Sequence, residues 1–531
     1  MDRFSVSTTD ILVIIAYLFG LIYAGVSISR KKNKEGSKTS EDLFLSGRSL
    51  PWYKVGLSIF STNVSPSMLV AYFGAAYTSG MVLANFEWMA WVFLMLLSFI
   101  FIPHYLRTRI STMPEFLLNR FGKKAHGFFT YFSMFSSLVT WSGFMLCIGG
   151  IVIHQLTGIP VYISVCVVVL IALSYSATGG MTSIVHTGVI QSVTLILVSV
   201  LILVLAVFRI GDLSDGLATV PADYWKIFRS MDDTTYPWHA ILLGYPVIGI
   251  WFWCTEQSVV QRTLSAKSIR DGQLGALLVA ALKVIMPFLF ILPGILCLVL
   301  VNRGVFQPLE SPDQAYVQMV FGLLPKGLIG LALATLMVSV INDVATGLSS
   351  FSTVFTMDVY ARRDGQIQDQ AKLRKIGTLA SLVAGLFAAA VGIFFSMSGK
   401  GLFELGQSLC TYLAPPISTV FLLGMLWKKA TPRAAVLTLY VGTVICLIIG
   451  FCQLTDFPSK DAWPHFMLLC FYLMALLMIF MVVVSLLTQS DKKMETSTVL
   501  STADVSGGTM SIKIMWVVLA MVMFLLYYLF A

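Results

Sequence analysis

The chain has 531 residues, 57% of them hydrophobic and only 11% charged, against roughly 25% charged in an ordinary soluble domain, which excludes a soluble multidomain protein. The formal charge of +9 does not point to nucleic acid, because about 24 of the 35 Lys and Arg fall in alternate loops, among them 30–48, 107–124, 362–375 and 428–433. All eight cysteines lie within apolar stretches with no CxxC pairing, which argues against disulfides and zinc sites. No HExxH, P-loop or GxGxxG occurs.

A bilayer core about 30 Å thick needs roughly 20 apolar residues per helix. About fourteen such stretches follow one another, near 9–29, 53–77, 80–106, 127–155, 159–177, 184–208, 238–259, 272–301, 327–356, 376–398, 402–427, 433–452, 464–487 and 513–530. The first is too long for a signal peptide and is followed by the basic run Arg30 to Lys34 rather than by a small-x-small cleavage site, so it reads as a retained helix. The basic loops are cytoplasmic by the positive-inside rule, which puts both termini outside. Polar segments are short except at 30–51, 209–237 and 488–512; the last has linker composition and is expected to tether a dispensable final helix.

Two stretches are interrupted. "STNVSPSM" (61–68) places Asn63, three serines and Pro66 inside the second stretch, and "YPVIGIWFWC" (245–254) places Pro246 and Gly249 inside the seventh. An unwound turn in hydrocarbon leaves backbone N–H and C=O groups without partners, and it persists only where something else satisfies them. Counted from the second helix, the breaks fall at positions one and six of ten. That is the pointer to an inverted-repeat transporter with its site at the bilayer midplane.

Several runs resemble the sodium:solute symporter family, in particular its bacterial sodium/galactose-type members: "EDLFLSGRSLPW" (41–52), "YSATGGMTS" (175–183), "QRTLSAKS" (261–268), "FTMDVY" (355–360) and "FLLGMLWKK" (421–429). The resemblance runs from about residue 10 to 490. It implies an all-α integral membrane protein with the LeuT-like fold, about 14 transmembrane helices and inverted five-helix repeats. The implied division is an extra helix and cytoplasmic loop at 1–50, a first repeat at 51–208, an extracellular loop at 209–237, a second repeat at 238–430 and extra helices at 431–531.

Carried over residue by residue, the resemblance implies a sodium site at the carbonyls of Ser61 and Val64 with Ser339, Asn342 and Asp343 from "MVSVINDVATGLSS". Two positions depart from the family pattern. Asn342 and Asp343 stand where two serines are usual, and Gly188, in "HTGVIQ", stands where an aspartate is usual. The expectation is that Asp343 replaces the missing carboxylate and ligates sodium, since a carboxylate inside the membrane is costly unless it is used; a titrating Asp343 carrying a proton is the alternative. The solute positions map to Asn63, Met68, Phe86, Glu87, Phe252, Lys283 and Gln407, together with Ala90 and Gly249. Asn63, Glu87, Lys283 and Gln407 offer the alternating donors and acceptors that vicinal hydroxyls need, although Glu87 and Lys283 also read as a structural ion pair. Phe252 and Trp253 are the expected gate. His186 and Glu256 read as solvated groups near helix ends, with Arg262 as a possible partner of Glu256.

The expected function is a sodium-coupled secondary active symporter in the bacterial inner membrane that imports a monosaccharide, sugar derivative or polyol. The partners are sodium, the solute and the bilayer, with no nucleic acid; no oligomeric state is read from the sequence. The alternatives are a proton-coupled or acidic-sugar (sialic or uronic acid) symporter and a transporter-like sensor. A rhomboid-like protease is excluded: "GLSI" (56–59) lacks the second glycine and no histidine is placed to activate Ser58. A channel gives no reason for two broken helices.

Overall fold

A computed structural model describes residues 6–34, 45–64, 66–361, 370–397, 402–455, 457–459, 462–488 and 509–531. For some helical residues, among them Met68, 175–186 and Gln407, only the backbone is described. The described chain is mostly helical, and ten helices are long and apolar enough to cross a membrane, with three shorter apolar ones beside them. The helices that build the site are α1 (Thr8–Lys34), α2 (Trp52–Asn63), α3 (Pro66–Ser79), α4 (Ala84–Trp88), α5 (Val161–Ile210), α6 (Trp238–Gly249), α7 (Gln257–Leu264), α8 (Ile269–Phe290), α9 (Leu328–Val354), α10 (Leu402–Leu426) and α11 (Met510–Leu529).

The expected break in the second stretch is present, and its chemistry is local. Val64 leaves the helical region at φ −79° and ψ 81°, its N–H still held by Phe60 O at 2.8 Å, and α3 restarts at Pro66. Proline tolerates the first turn of a helix because its missing N–H has no partner there, and it disfavours the helical conformation in the residue before it.

The second break falls within the expected stretch, in its later half rather than at the proline. Pro246 is accommodated inside α6, and the disruption falls after it, in a wide π turn at Ile250–Thr255 that ends at Glu256 with ψ 128°. Proline removes one helical hydrogen bond and crowds the preceding turn, and the chain resolves this by widening downstream rather than by unwinding at the proline. The fifth and sixth stretches are also not separate elements: both lie in the 50-residue α5.

α9 is the centre of the bundle, buried along nearly its whole length and packed on α5 and α1. α2 crosses α8 at close range because Gly56 and Gly275 face one another: a Cβ on Gly56 would lie 2.9 Å from Gly275 O, and one on Gly275 would lie 3.2 Å from Gly56 N. Small residues permit such backbone approaches where no hydrophobic drive exists between helices. The outer helices expose rows of large apolar side chains, such as Leu379, Val383, Leu386 and Phe387, the surface a lipid-facing helix needs.

The final helix, expected to be dispensable, is packed on the body of the protein. α11 packs on α8 and sets Trp516 against Phe99, Phe524 against Trp91, and Tyr527 against Trp88.

Candidate functional site

The break between α2 and α3 is the point around which the site is built. Ser339, Asn342 and Asp343 sit at i, i+3 and i+4 on α9 and therefore share one face. That face meets the break: the Ser339 hydroxyl donates to Val64 O at 3.4 Å and accepts from Gln191 Nε2 of α5 at 2.7 Å. Gly188 lies one turn earlier on α5 than Gln191, and a Cβ there would come within 2.6 Å of Ser61 Oγ and 3.6 Å of Asn342 Nδ2. Ser61, Val64, Gly188, Gln191, Ser339 and Asn342 thus meet in one place, and a side chain at position 188 would displace the Ser61 hydroxyl.

Several polar groups there have no partner in the protein. Both carboxylate oxygens of Asp343 and both amide heteroatoms of Asn342 are buried with no hydrogen-bond partner, as is Gln191 Oε1. Asp343 is fully buried. Buried polar groups are almost always paired, so each exception calls for an explanation. Oxygen atoms left open beside a bared backbone carbonyl form the donor set that a hard cation such as sodium prefers. The described residues hold no cluster of three His, Cys, Asp or Glu suited to a transition metal.

On the other side of the same break, Lys283 of α8 reaches across the bundle to both Asn63 Oδ1 and Glu87 Oε2. The Tyr72 hydroxyl donates to Glu87 Oε1 at 3.0 Å. Lys283 and Glu87 side chains are 1% and 5% exposed, so the two charges neutralise one another inside the protein. The Lys283 ammonium also lies 5.2 Å from the centre of the Trp253 ring, a cation–π contact.

Of the expected solute and gate residues, the structure brings Asn63, Glu87, Lys283 and Trp253 together. Phe252 stands beside them, half-buried, with its ring 4.8 Å from that of Trp253 and 5.6 Å from that of Trp141. Phe86 stands edge-on to Tyr236 at 6.2 Å and to Tyr245 at 6.1 Å, and the Tyr245 side chain in turn meets Trp253. The side chains of Met68, Gln407 and His186 lie outside the described residues. Glu256 is buried, not solvated: it caps α7 by accepting from Ser258 N at 2.6 Å and from the Ser258 hydroxyl.

Sequence reasoning did not select Tyr72, Gln191 or Arg262 as site residues. Gln191 was within reach, since it lies three residues after Gly188 and so one helical turn away. Arg262 is 1% exposed and donates from Nε to Ser58 Oγ at 3.0 Å, from a terminal nitrogen to Thr346 Oγ1 at 3.2 Å, and from the other to Ser258 O.

Residues 43–442 match the sodium:solute symporter family. A sodium/glucose cotransporter of Vibrio parahaemolyticus is 31% identical over 476 residues, covering 86% of this chain and 87% of its own length. The sodium/glucose cotransporter 1 of Oryctolagus cuniculus is 28% identical over 533 residues, covering 91% of this chain and 79% of its own length. Among solved structures, a Na+-coupled sialic acid symporter in a substrate-bound outward-open state superposes with a TM-score of 0.78 at 23% identity, over 91% of this chain and 98% of its own. A nucleobase-cation-symport-1 family transporter in a closed conformation superposes with a TM-score of 0.51 at 13% identity, over 87% of this chain and 96% of its own. These likenesses establish the LeuT-like fold.

Proposed function

The chain belongs to the sodium:solute symporter family, and from that premise we propose that it is a sodium-coupled secondary active symporter importing a small hydroxylated solute by alternating access. The solute class is a monosaccharide, sugar derivative or polyol, the chemistry carried by its relatives named for glucose and, in Bos taurus, for myo-inositol. The chain is a multi-pass integral membrane protein. The distribution of its basic loops supports both termini outside, and its likeness to a cotransporter of Vibrio parahaemolyticus supports a bacterial inner-membrane setting.

The observation that carries the reading is that two consecutive residues at one helix break face two different sites. The Asn63 side chain is held by Lys283, while the Val64 carbonyl accepts from Ser339. Sodium bound by the carbonyls of Ser61 and Val64 and the side-chain oxygens of Ser339, Asn342 and Asp343 would fasten α9 to the break. The same act fixes the direction of Asn63. Solute hydroxyls would then exchange with the contacts among Asn63, Glu87, Lys283 and Tyr72, where amide, carboxylate, ammonium and phenol alternate as donors and acceptors. Phe86, Met68 and Gln407 would line the remainder of the solute path, with Phe252 and Trp253 as the aromatic gate. Coupling is reciprocal: each ligand tightens the other by a factor of roughly 5–150.

Because Glu87 already neutralises Lys283, the pair offers a net-neutral surface, which favours an uncharged solute over a sugar acid. The two halves, 51–208 and 238–430, would act as the inverted repeats that rock about this point.

The test is transport current in proteoliposomes on a solid-supported membrane, with a panel of neutral and acidic sugars and polyols, in wild type and Asp343→Asn. A sodium-dependent current for a neutral solute that disappears in the variant supports the reading. A current driven by a proton gradient without sodium makes Asp343 a proton carrier and overturns the ion assignment.

A further inference from the structure

A buried arginine donates to α9 one helical turn from a buried carboxylate, and no hydrogen bond joins the two charges. Asp343 has no hydrogen-bond partner at either oxygen. Arg262 donates to Thr346, three residues further along the same helix, which corresponds to a rise of about 4.5 Å. Its other bonds go to the Ser58 hydroxyl and the Ser258 carbonyl, so all of its bonded partners are neutral. Ser58 itself belongs to the ion-site end of α2, since its carbonyl accepts from Ser61 Oγ at 2.8 Å and Thr62 Oγ1 at 2.9 Å. The other buried carboxylate nearby, Glu256, is committed to capping α7.

We propose that Arg262 is the resident counter-cation of the ion site: it rests on Ser58, Ser258 and Thr346 while sodium neutralises Asp343, and takes the Asp343 carboxylate when sodium leaves. This rests on Asp343 being the sodium ligand. The reason is the cost of an uncompensated carboxylate in the membrane interior. A loaded carrier crosses with sodium on Asp343. An empty carrier would cross with a bare charge, and a guanidinium on a long side chain one turn away removes that barrier. Arg262 therefore competes with sodium for one carboxylate and is a positioning residue for the return half of the cycle.

The experiment compares Arg262→Gln, Arg262→Lys and Thr346→Val with wild type in proteoliposomes. It measures solute exchange, for which only the loaded carrier need move, net sodium-driven uptake, which requires the empty carrier to return, and radiosodium binding to the purified protein. Arg262→Gln is expected to keep exchange, to lose net uptake and to bind sodium at least about fivefold more tightly, the lower end of an ordinary coupling between sites. Arg262→Lys, which keeps the charge, should restore net uptake. Thr346→Val, which frees the guanidinium towards Asp343, should weaken sodium binding, and it decides the matter if Arg262→Gln does not fold. Equal losses of exchange and net uptake in Arg262→Gln, or unchanged sodium binding in both Arg262→Gln and Thr346→Val, would overturn the proposal. Asp343→Asn separates the two ideas: if it binds sodium as wild type does, the ion assignment itself fails, whereas if it loses sodium while the other variants do not change, only the role of Arg262 fails.

Discussion

Glu87 and Lys283 each occupy the middle of an apolar run, where a lone charge is unaffordable, and the structure shows how each is tolerated. Lys283 holds Glu87 and Asn63 at once, and Tyr72 covers the second carboxylate oxygen of Glu87. Removing one member of a buried pair typically costs about 3–5 kcal/mol, because the other is left uncompensated, whereas removing both can be close to neutral. Glu87→Gln is therefore expected to lower the thermal midpoint in detergent sharply, and Glu87→Gln with Lys283→Met to recover most of it. Solute-dependent current should be absent in both. A double variant as unstable as the sum of the two single variants would show that the charges do not compensate one another. The types of these two residues were legible because a charge inside a membrane helix stands out in sequence. Their shared partner Tyr72 was not, since a tyrosine in an apolar helix looks like any packing aromatic until its hydroxyl is placed.

Among elements, α9, the helix of the proposed ion site, is steadied by α1. The Asp10 carboxylate of α1 accepts from the backbone N–H groups of Gly327 at 2.7 Å and Gly330 at 2.8 Å, the unpaired donors at the start of α9. The approach is close enough that a Cβ on Gly330 would come within 2.4 Å of Asp10 O. A carboxylate at a helix N-terminus also meets the positive end of the helix dipole. Removing such a cap usually costs about 0.5–2 kcal/mol. Asp10→Ala is accordingly expected to lower stability by that amount and to raise the half-saturating sodium concentration, with Asp10→Asn retaining most of the cap. Unchanged sodium dependence in Asp10→Ala would show that the start of α9 moves independently of Ser339. The break at Pro66 could be read in advance because proline acts on its own and the preceding residue. The second break could be read to its stretch, 245–254, but not to its form: a π turn comes from how a helix accommodates a proline several residues earlier, and no residue type in "IWFWC" marks it.

At the scale of the molecule, the order of elements followed from periodicity and breaks and the meeting of α2, α8 and α9 from the family resemblance, while the contribution of the chain's far end followed from neither. An apolar helix after a polar linker gives no sequence sign of what it will touch. In the structure, Trp88, which follows Glu87 directly, donates from Nε1 to Val284 O, which follows Lys283 directly, at 3.2 Å. The Trp88 ring is surrounded by Phe288, by Tyr527 of α11 and by Phe530, with centroids 6.1, 6.1 and 5.5 Å away. Phe530 O in turn accepts from Ile227 N at 2.9 Å, fastening the end of the chain to the segment before α6. The final helix thus braces the backbone that carries the Glu87–Lys283 pair and leaves the ion-site face of α9 to others. Each aromatic contact of this kind contributes roughly 0.5–1.5 kcal/mol beyond the area it buries. Ending the chain at residue 508 is therefore expected to give a folded carrier with weakened solute affinity and a nearly unchanged sodium requirement, read as a rise in the solute KM at saturating sodium. If the truncated protein kept its solute KM, Trp88 would be held by Phe288 and Val284 alone, and the final helix would be a membrane anchor with no part in binding.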